Sequence, residues 1–390
     1  MTVFSRRRLA HDVAMNDDRP VILILADSMV AGGLERQVVE LLRGLRASGR
    51  FATVFGVLDR GGERETEAAA EAGAVLPLAR RWRYDVSAAA VLPWAARRRR
   101  VALIHAYGWM GCLAGLWAAR LLRVPLLDGA IRSAPPALTA RDRLSRRIML
   151  ASDGIVANSR AGLRAFGLDG HPRARVIRNG VDPARFTGVT PRDLGPAAVC
   201  MVGNFTANKD QAALIRAWPR VVAQAPQARL VLVGRGGEPL AACRRLADEL
   251  GVAGRVDFVT DTAAPEPWLA GSAVCVLASN TRVHGEGIAN AIIEGMALGL
   301  PVVATDCGGN REIVDHGRTG LIVPDNGEAT LSAAIGSLLH DRDGAARMGA
   351  LGRERIAREF SLPRMVGEYE ALYRELLAGR AGVRNARAAT

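Results

Sequence analysis

Short apolar runs alternate with amphipathic helical stretches along almost the whole chain, and this alternation constrains the fold more than any other feature. Continuous apolar runs separated by helices are typical of buried parallel strands joined by right-handed crossovers. The runs fall into two consecutive series, so we predict an α/β fold with two doubly wound Rossmann-like domains that face each other across a cleft. The predicted strands of the first series are Val21–Ala26, Thr53–Leu58, Val101–His105, Leu126–Asp128, Gly154–Ala157 and Val176–Arg178, and those of the second are Ala198–Val202, Leu230–Val233, Val256–Phe258, Val274–Leu277, Pro301–Thr305 and Leu321–Val323.

The break between the two series sets the predicted domain boundaries. Asn-Gly, Asp-Pro and Thr-Pro pairs punctuate the chain over Asn179–Arg192, a pattern that indicates a connecting segment. We therefore predict a first domain over 19–187 and a second over 188–362, which agrees with the two domains expected for 390 residues. We expect residues 1–18 to form a flexible extension, a helix over about 363–378 to pack back on the first domain, and 379–390 to form a tail.

One run of the second domain combines a glycine-rich loop with two carboxylates. It reads SNTRVHGEGIANAIIEGMALGLPVVATDCGG over Ser279–Gly309, follows a predicted strand and enters a predicted helix near Asn290. A helix N-terminus presents unpaired N–H groups and the positive end of the dipole, so this turn suits a diphosphate. Glu286 in the loop and Glu294 in the helix could accept hydrogen bonds from sugar and ribose hydroxyls. Spacing alone favours the alternative, in which Glu286 is solvated and Glu294 complements the helix dipole.

The same run resembles the retaining glycosyltransferases of the GT-B fold, in the large "glycosyl transferases group 1" family (family 4). The Glu-x7-Glu signature of that family matches Glu286 and Glu294, and the resemblance extends from Val21 to about Leu377. It implies a GT-B architecture whose first domain binds the acceptor and whose second domain binds a nucleoside-diphosphate sugar. It further implies that Glu294 holds the nucleotide ribose and that the donor sugar is contacted by Glu286 and by Gly287, Ile288, Ala289 and Asn290.

A single lysine, Lys209, occurs among the 52 Lys and Arg residues. An ammonium is a compact point charge rather than a planar fork, so a site that keeps it can require that shape. Lys209 follows the first strand of the second domain, where the family has a diphosphate-binding lysine, and the resemblance implies that it stabilises the departing nucleotide diphosphate. The position of the family's arginine is occupied by Asn204, a donor-binding candidate, so Arg235 or Arg282 would supply the second cation.

Three loops of the first domain carry further candidates. Gly32 and Gly33 follow the first strand and resemble the family's glycine loop near the diphosphate, although a tight turn alone would also explain them. His105 and Tyr107 end another strand, where the family often has His-x-His, and both are catalytic candidates; the alternative for His105 is a buried, hydrogen-bonded residue. Arg132 could bind an acceptor phosphate, or it could lie on the surface of this arginine-rich half.

All of the net charge of +13 lies in the first 190 residues. Such an asymmetry suggests an anionic partner, namely a membrane surface, a phosphate-bearing substrate or a nucleic acid. No helix-turn-helix, zinc-finger or RNP-like stretch accompanies the arginines, so we expect no nucleic acid. Arginines that only decorate solvated helix faces are the alternative. The clusters are Arg6–Arg8, Arg80/Arg81/Arg83, Arg97–Arg100 and Arg141/Arg143/Arg146/Arg147.

Three features of the sequence bear on the compartment. No apolar stretch of useful length follows the first arginines, which argues against a signal peptide. The five cysteines form no Cys-x-x-Cys pair, which argues against a disulfide framework or a structural zinc. The uncharged stretch Val101–Ala119 contains His, Tyr and Gly residues and favours a strand, a loop and a helix start over a membrane span. We expect a cytoplasmic protein that binds peripherally to the inner face of the plasma membrane.

The resemblance implies transfer of a sugar from a nucleoside-diphosphate sugar to an acceptor hydroxyl with retention, in lipid-linked glycan or polysaccharide biosynthesis. Glu286 is the one plausible nucleophile for a covalent route, yet its loop position suits hydroxyl binding better, so we expect a same-face path. We expect no metal and no other cofactor, because Lys209, an arginine and the helix N-terminus would stabilise the charge on the leaving phosphate. The one Asp-x-Asp run, Asp341-Arg342-Asp343, follows a helix rather than a strand and indicates a turn. A GT-B-fold sugar-nucleotide epimerase or hydrolase and an inactive nucleotide-sugar-binding scaffold are the alternatives. The sequence leaves open the sugar, the base, the acceptor and the oligomeric state.

Overall fold

The computed structural model describes residues 18–30, 32–78, 85, 87–260, 262 and 264–388, with side chains through residue 379. The predicted extension 1–18 therefore lies outside the described residues except for its last position. The arginine clusters Arg6–Arg8 and Arg80/Arg81/Arg83 lie outside them as well.

The first domain is built on a sheet of seven described strands. They are β1 (Val21–Ser28), β2 (Ala52–Asp59), β3 (Ala74–Leu76), β4 (Val101–Tyr107), β5 (Leu126–Ile131), β6 (Gly154–Ala157) and β7 (Ala174–Val176). All pairs are parallel and the order is β3-β2-β1-β4-β5-β6-β7, so the winding direction reverses between β1 and β4. Six helices accompany them: α1 (Gly33–Ser48), α2 (Glu65–Glu71), α3 (Ser87–Arg98), α4 (Trp109–Leu122), α5 (Ala140–Ala151) and α6 (Arg160–Ala165).

The second domain repeats this plan with six described strands, and the predicted fold class is thereby confirmed. They are β8 (Ala198–Val202), β9 (Arg229–Val233), β10 (Val256–Val259), β11 (Val274–Leu277), β12 (Val302–Thr305) and β13 (Leu321–Val323). The parallel order is β10-β9-β8-β11-β12-β13, with the reversal between β8 and β11. The helices are α7 (Gln211–Gln224), α8 (Glu238–Glu249), α9 (Glu266–Ala270), α10 (Asn290–Ala297), α11 (Asn310–Ile313), α12 (Glu328–His340) and α13 (Arg342–Glu359).

Two details of the strands differ from the prediction. β3 was not predicted, because three residues are too short a run to show a period. The strand predicted at Val176–Arg178 instead covers Ala174–Val176, where Ile155 of β6 pairs with Ala174. The strand therefore begins two residues earlier than predicted, at the residue that pairs with Ile155.

The last helix, α14 (Leu362–Ala388), returns to the first domain and is longer than predicted. Its buried Met365, Tyr369 and Tyr373 belong to the hydrophobic core that β1, β4 and α1 form in the first domain. The helix includes most of the segment predicted as a tail, because that segment has no proline and is rich in the good helix formers Ala and Arg. Only 389–390 of that segment lie outside the described residues.

The uncharged stretch Val101–Ala119 forms β4 and most of α4, as predicted. Among the described helices, none combines the length and the hydropathy that a membrane span requires. All five cysteines are buried free thiols.

Candidate functional site

A cleft with a volume of about 870 Å³ opens between the carboxyl edges of the two sheets. Its walls include Gly32 after β1, Gly203 after β8, Gly234 after β9 and Glu286 after β11. In doubly wound sheets, ligands bind outside the carboxyl ends of the strands where the winding direction reverses. Both domains therefore direct their ligand-binding edges into the same space.

Lys209 and Glu286 form an ion pair inside this cleft. Lys209 lies just before α7, and its backbone forms an isolated antiparallel bridge with Ser279, which follows β11. The Ser279 hydroxyl donates a hydrogen bond to Glu286 Oε1 at 2.6 Å, and His284 Nε2 lies 3.6 Å from Glu286 Oε2. The glycine-rich loop thus brings the carboxylate onto the lysine that follows the neighbouring strand.

The environment of Glu286 keeps its carboxyl group ionised. Burial favours the neutral form, but the Lys209 ammonium and the hydrogen bonds from His284, Lys209 and Ser279 hold the pKa of Glu286 well below its usual range. A carboxylate of this kind accepts hydrogen bonds or balances a cation, and it is a poor proton donor. The group therefore suits hydroxyl binding rather than general acid catalysis.

Glu294 lies in the second turn of α10, is buried and pairs with cations of the first domain and the linker. Arg36 of α1 forms an ion pair with Glu294 Oε1, and Arg185 Nη1 lies 3.5 Å from the same oxygen. Arg185 also pairs with Glu266, which precedes β11 in the chain. The carboxylate that follows the glycine loop is therefore in contact with two arginines rather than with solvent.

Two helix N-termini meet across the cleft. α1 begins after Gly32 and α10 begins after Ala289, and neither of these residues supplies a side-chain cap. Asn290 Nδ2 donates to the carbonyl oxygen of Gly33 at 2.9 Å, while Asn179 Nδ2 donates to Asn290 Oδ1 at 2.8 Å. Uncapped N-termini supply N–H donors and positive potential to an anion. The geometry therefore suits a pyrophosphate held between the two domains.

Cations line the described wall of this cleft, and most of them are paired with carboxylates. Besides the pairs of Lys209 and Arg36, Arg235 Nη1 lies 2.7 Å from Glu63 Oε1 and Arg64 Nη1 donates to Glu67 Oε2 at 2.7 Å. Arg132 instead lies over the ring of Tyr107 at 4.9 Å. An anionic ligand would compete with these carboxylates for the cations.

Comparison with known proteins identifies the family. The model of the family described as "Glycosyl transferases group 1" matches residues 196–341, and that described as "Glycosyltransferase Family 4" matches residues 31–185. The alpha-maltose-1-phosphate synthase of Mycolicibacterium smegmatis is 30% identical over 320 residues, which cover 71% of this chain and 79% of that protein. The chain belongs to the glycosyl transferases group 1 family.

Other members of the family resemble this chain over part or all of their length. The GDP-mannose-dependent alpha-(1-6)-phosphatidylinositol monomannoside mannosyltransferase of Mycobacterium tuberculosis is 35% identical over 170 residues, which cover 42% of this chain and 44% of that protein. The chain thus matches less than half the length of this curated relative. The crystal structure of Anabaena Alr3699/HepE in complex with UDP and glucose has a TM-score of 0.80 at 21% identity, and the match covers 90% of this chain and 99% of that one. That similarity shows the GT-B fold.

His105 and Tyr107, the predicted catalytic pair of the first domain, do not reach the cleft. Both are buried, and neither is among the described residues that line it. His105 Nδ1 lies 2.7 Å from the Tyr373 hydroxyl of α14, and burial holds the pKa of His105 well below its usual range. His105 is thus a buried, hydrogen-bonded residue beneath α14, and a catalytic role for His105 or Tyr107 stays a prediction that their position outside the described cleft lining does not favour.

Arg132, by contrast, does line the cleft. Its Nε donates to the carbonyl oxygen of Gly129 at 3.1 Å, and its Nη2 donates to the Tyr369 hydroxyl at 3.3 Å. Together with the Tyr107 ring, these partners fix the guanidinium at the wall that the first domain contributes. The buried tyrosines thus orient Arg132 instead of facing a substrate.

The donor-binding candidates separate into those that line the cleft and those that do not. Gly287 is not among the described lining residues; a Cβ on it would lie 2.4 Å from the carbonyl oxygen of Arg132, so it permits a close crossing of the two domains. Asn204 Oδ1 accepts from the backbone N–H of Arg235 at 3.1 Å. Arg235 lines the cleft and Arg282 is absent from its described lining, so Arg235 is the better placed second cation. The other lining candidates are Gly32, Gly33, Asn204, Lys209, Glu286, Ile288, Ala289, Asn290 and Glu294.

Sequence reasoning did not single out Arg36, Arg185, Asn179 or Ser279 as site residues. Arg36 follows Gly33 by three positions, so its place in the first turn of α1 was available as a signal. Asn179 was interpreted only as part of a turn-forming pair, although it donates to the carbonyl oxygen of Ile288 at 3.1 Å. Arg185 had no local signal, because its contact with Glu294 depends on how the linker folds over α10.

Proposed function

We propose that this chain is a glycosyltransferase that moves a sugar from a nucleoside-diphosphate sugar to an acceptor hydroxyl with retention at the anomeric carbon. The observation that carries the proposal is the Lys209–Glu286 ion pair beside the uncapped N-terminus of α10, in a cleft between two Rossmann-like domains. The family supports a transferase over a sugar-nucleotide epimerase, a hydrolase or an inactive scaffold.

In this proposal, each part of the donor is bound by its own group of residues. The N-termini of α1 and α10 bind the diphosphate, and Lys209 and Arg235 neutralise the charge that develops on it as the sugar leaves. Glu294 accepts hydrogen bonds from the ribose, and Glu286 accepts them from the hydroxyls of the sugar. The cations of the cleft supply the positive charge that the leaving group requires, so we propose that the reaction needs no metal or other cofactor.

Retention follows from a same-face path in which the acceptor hydroxyl attacks the anomeric carbon from the side of the departing phosphate. A phosphate oxygen takes the proton of the acceptor as the new glycosidic bond forms and the old one breaks. A covalent path would need a free carboxylate nucleophile. Glu286 is instead held by Lys209 and Ser279, which argues against that role.

We propose a lipid-linked or glycan acceptor and a peripheral location at the inner face of the plasma membrane. Arg132 lines the cleft on the side of the first domain, which supports a role in binding an acceptor phosphate. The M. tuberculosis relative is named as a phosphatidylinositol monomannoside mannosyltransferase, which supports a lipid acceptor. The first half of this chain carries all of the net positive charge, which supports a location at an anionic membrane surface.

A thermal-shift screen of UDP-, GDP- and ADP-sugars tests donor binding. We expect at least one of them to raise the melting temperature of the wild type by about 3 °C or more, and we expect Lys209→Ala to abolish the shift. The exposed Arg220→Ala in α7 is the matched control and should respond like the wild type. The proposal is wrong if no nucleotide sugar stabilises the wild type, or if Lys209→Ala responds equally.

The anomeric configuration of the initial product tests whether the reaction proceeds with retention. With the donor identified in that screen, NMR of the initial product should show the anomeric configuration of the donor. An inverted product would refute retention but not transfer. Rapid release of free sugar in the presence of acceptor would indicate a hydrolase instead.

A further inference from the structure

Large apolar side chains are exposed together on one surface of the first domain. Of the nine large hydrophobic side chains that are exposed in the described part of the chain, six lie on the consecutive helices α3, α4 and α5. The most exposed of these six are Trp94 at 60%, Trp117 at 56% and Leu121 at 55%. We call this surface the α3–α5 face; it consists of Val91, Trp94, Leu113, Trp117, Leu121 and Leu144.

The helices present these side chains as one continuous surface. α4 packs between α3 and α5. Leu113, Trp117 and Leu121 are spaced four residues apart, so they form a single stripe along the outer side of α4. The inner side of the same helix buries Cys112, Ala118 and other small residues against the sheet. A helix that is apolar on both sides requires a covering partner on the outer one.

The charge around the α3–α5 face is predominantly positive, because Asp142, which caps the N-terminus of α5, is the one acidic residue within α3, α4 and α5. No Asp or Glu occurs between Asp85 and Asp128. Exposed arginines border the apolar side chains, and the Arg98 guanidinium lies over the Trp94 ring at 4.7 Å. Other exposed arginines at the rim are Arg97, Arg100, Arg120, Arg141, Arg143 and Arg147.

We infer that the α3–α5 face is the surface by which this protein docks on an anionic lipid bilayer. Tryptophan prefers the headgroup level, where its ring contacts acyl chains and its N–H reaches polar groups. Guanidinium groups bind lipid phosphates and are attracted by an anionic leaflet. A second copy of the chain fits poorly, because a two-fold interface would place this arginine rim against itself.

The position of the α3–α5 face relates it to the cleft. Helices of a doubly wound domain run opposite to the strands, so the N-termini of α4 and α5 lie at the carboxyl edge of the sheet, where the cleft opens. Leu113 and Leu144 lie near these N-termini, whereas Trp117 and Leu121 lie in the second half of α4, farther from the cleft. A bilayer docked on the whole face would therefore reach the edge of the cleft at Leu113 and Leu144 and present a lipid-linked acceptor there. The delivery of an acceptor to the cleft rests on the proposed function. The binding of the bilayer does not, and it can be tested without any substrate.

Vesicle sedimentation without any substrate tests the inference. The purified full chain should bind vesicles of phosphatidylcholine with about 30 mol% phosphatidylglycerol and bind pure phosphatidylcholine about tenfold more weakly. Trp94→Ala/Trp117→Ala should lower the affinity for the anionic vesicles about tenfold. Arg97→Ala/Arg147→Ala should lower the affinity and reduce its dependence on salt.

Matched substitutions in the second domain serve as controls. Leu250→Ala and Arg216→Ala/Arg220→Ala remove exposed side chains of the same kinds and should bind like the wild type. Trp94→Ala/Trp117→Ala should also keep the melting temperature and the nucleotide-sugar shift of the wild type, which separates a failure here from a failure of the proposed function. The inference is overturned if the wild type binds the two kinds of vesicle equally, or if Trp94→Ala/Trp117→Ala binds anionic vesicles as well as the wild type. It is also overturned if the wild type forms dimers and this variant does not, because the face would then bind a second copy of the chain.

Discussion

Glu286 and Glu294 are eight positions apart in the sequence and have different partners in the fold. Glu286 is bound to Lys209 and Ser279 of its own domain. Glu294 is bound to Arg36 across the cleft and to Arg185 of the linker. The first pair organises the sugar end of the cleft within one domain. The second also connects the two domains.

Glu294→Gln tests whether this carboxylate binds the donor. The amide removes the charge but keeps the size, so we expect the KM for the donor to rise about tenfold with a smaller change in kcat. This pattern is typical of a residue that stabilises the bound substrate and the transition state equally. Steady-state kinetics with the donor identified by thermal shift measure both constants. Glu312→Gln is the control, since Glu312 accepts from Ala161 N–H at 2.8 Å across the domains but lies outside the described cleft lining. Equal effects of both variants would indicate a structural role only.

Asp128, which is buried in the middle of β5, makes stability depend on pH. Burial raises the pKa of Asp128 to about 6, against the hydrogen bond that it accepts from Ala130 N–H. The folded state therefore holds this proton more tightly than the unfolded state. The resulting stability is fully present below about pH 4 and is lost as the pH rises to about 6.

Asp128→Asn should remove this dependence. We expect the variant to be more stable than the wild type by on the order of 1 to 3 kcal/mol at about pH 7.5, with a smaller difference at about pH 4.5. Urea denaturation at the two pH values gives the free energies of unfolding. Asp248→Asn is the control, because it makes the same substitution at an exposed position and should change the free energy of unfolding little at either pH. A stability gain of Asp128→Asn that is the same at both pH values would contradict the assignment.

At the scale of elements, the loop before α10 is fixed by the first domain. Ala134 N–H donates to the carbonyl oxygen of Gly285 at 2.8 Å, and Ser133 and Glu286 form an isolated antiparallel bridge. Cβ atoms on Gly285 and Gly287 would lie 1.7 Å and 2.4 Å from carbonyl oxygens of the first domain. The glycines therefore allow two backbones to pair closely and set the position of Glu286.

Gly287→Ala should disturb this pairing without unfolding either domain. Backbone atoms cannot move aside as a flexible side chain can, so we expect kcat/KM to fall about a hundredfold. Kinetics and circular dichroism together separate lost positioning from lost folding. Gly254→Ala is the control, because a Cβ at that position meets open space. Wild-type activity of Gly287→Ala would show that the close crossing does not matter for the reaction.

At the scale of the whole molecule, ion pairs cross the mouth of the cleft. Arg235 after β9 pairs with Glu63 before α2, and the side chains of both are exposed. Exposed pairs of this kind contribute about 0 to 1 kcal/mol, so this one does not by itself hold the domains together. The diphosphate of a donor can therefore replace Glu63 as the partner of Arg235, because it carries more negative charge.

Substitution of each partner separates these roles. If Arg235 binds the donor diphosphate, Arg235→Ala should weaken donor affinity about tenfold, whereas Glu63→Ala should leave the affinity unchanged or improve it by releasing the arginine. Isothermal titration with the nucleotide sugar measures both. Equal losses for the two variants would assign Arg235 to domain closure rather than to the donor.

The sequence by itself determined the two series of strands, the Glu286 loop, the place of Glu294 in α10 and the place of Lys209 after β8. These features depend on period, on glycine and proline punctuation and on local spacing, which are properties of neighbouring residues. The Lys209–Glu286 contact could also be anticipated, because loops after adjacent parallel strands meet at one edge of the sheet.

Only the tertiary structure decided which groups meet across domains. It buried His105 and Tyr107 under α14, brought Arg36 and Arg185 onto Glu294, and gathered Trp94 and Trp117 on one surface. Each of these contacts joins segments distant in the sequence, and their formation depends on how two domains and a returning helix pack. Local patterns carry no information about that packing, because the side chains that determine it are selected by partners elsewhere in the chain.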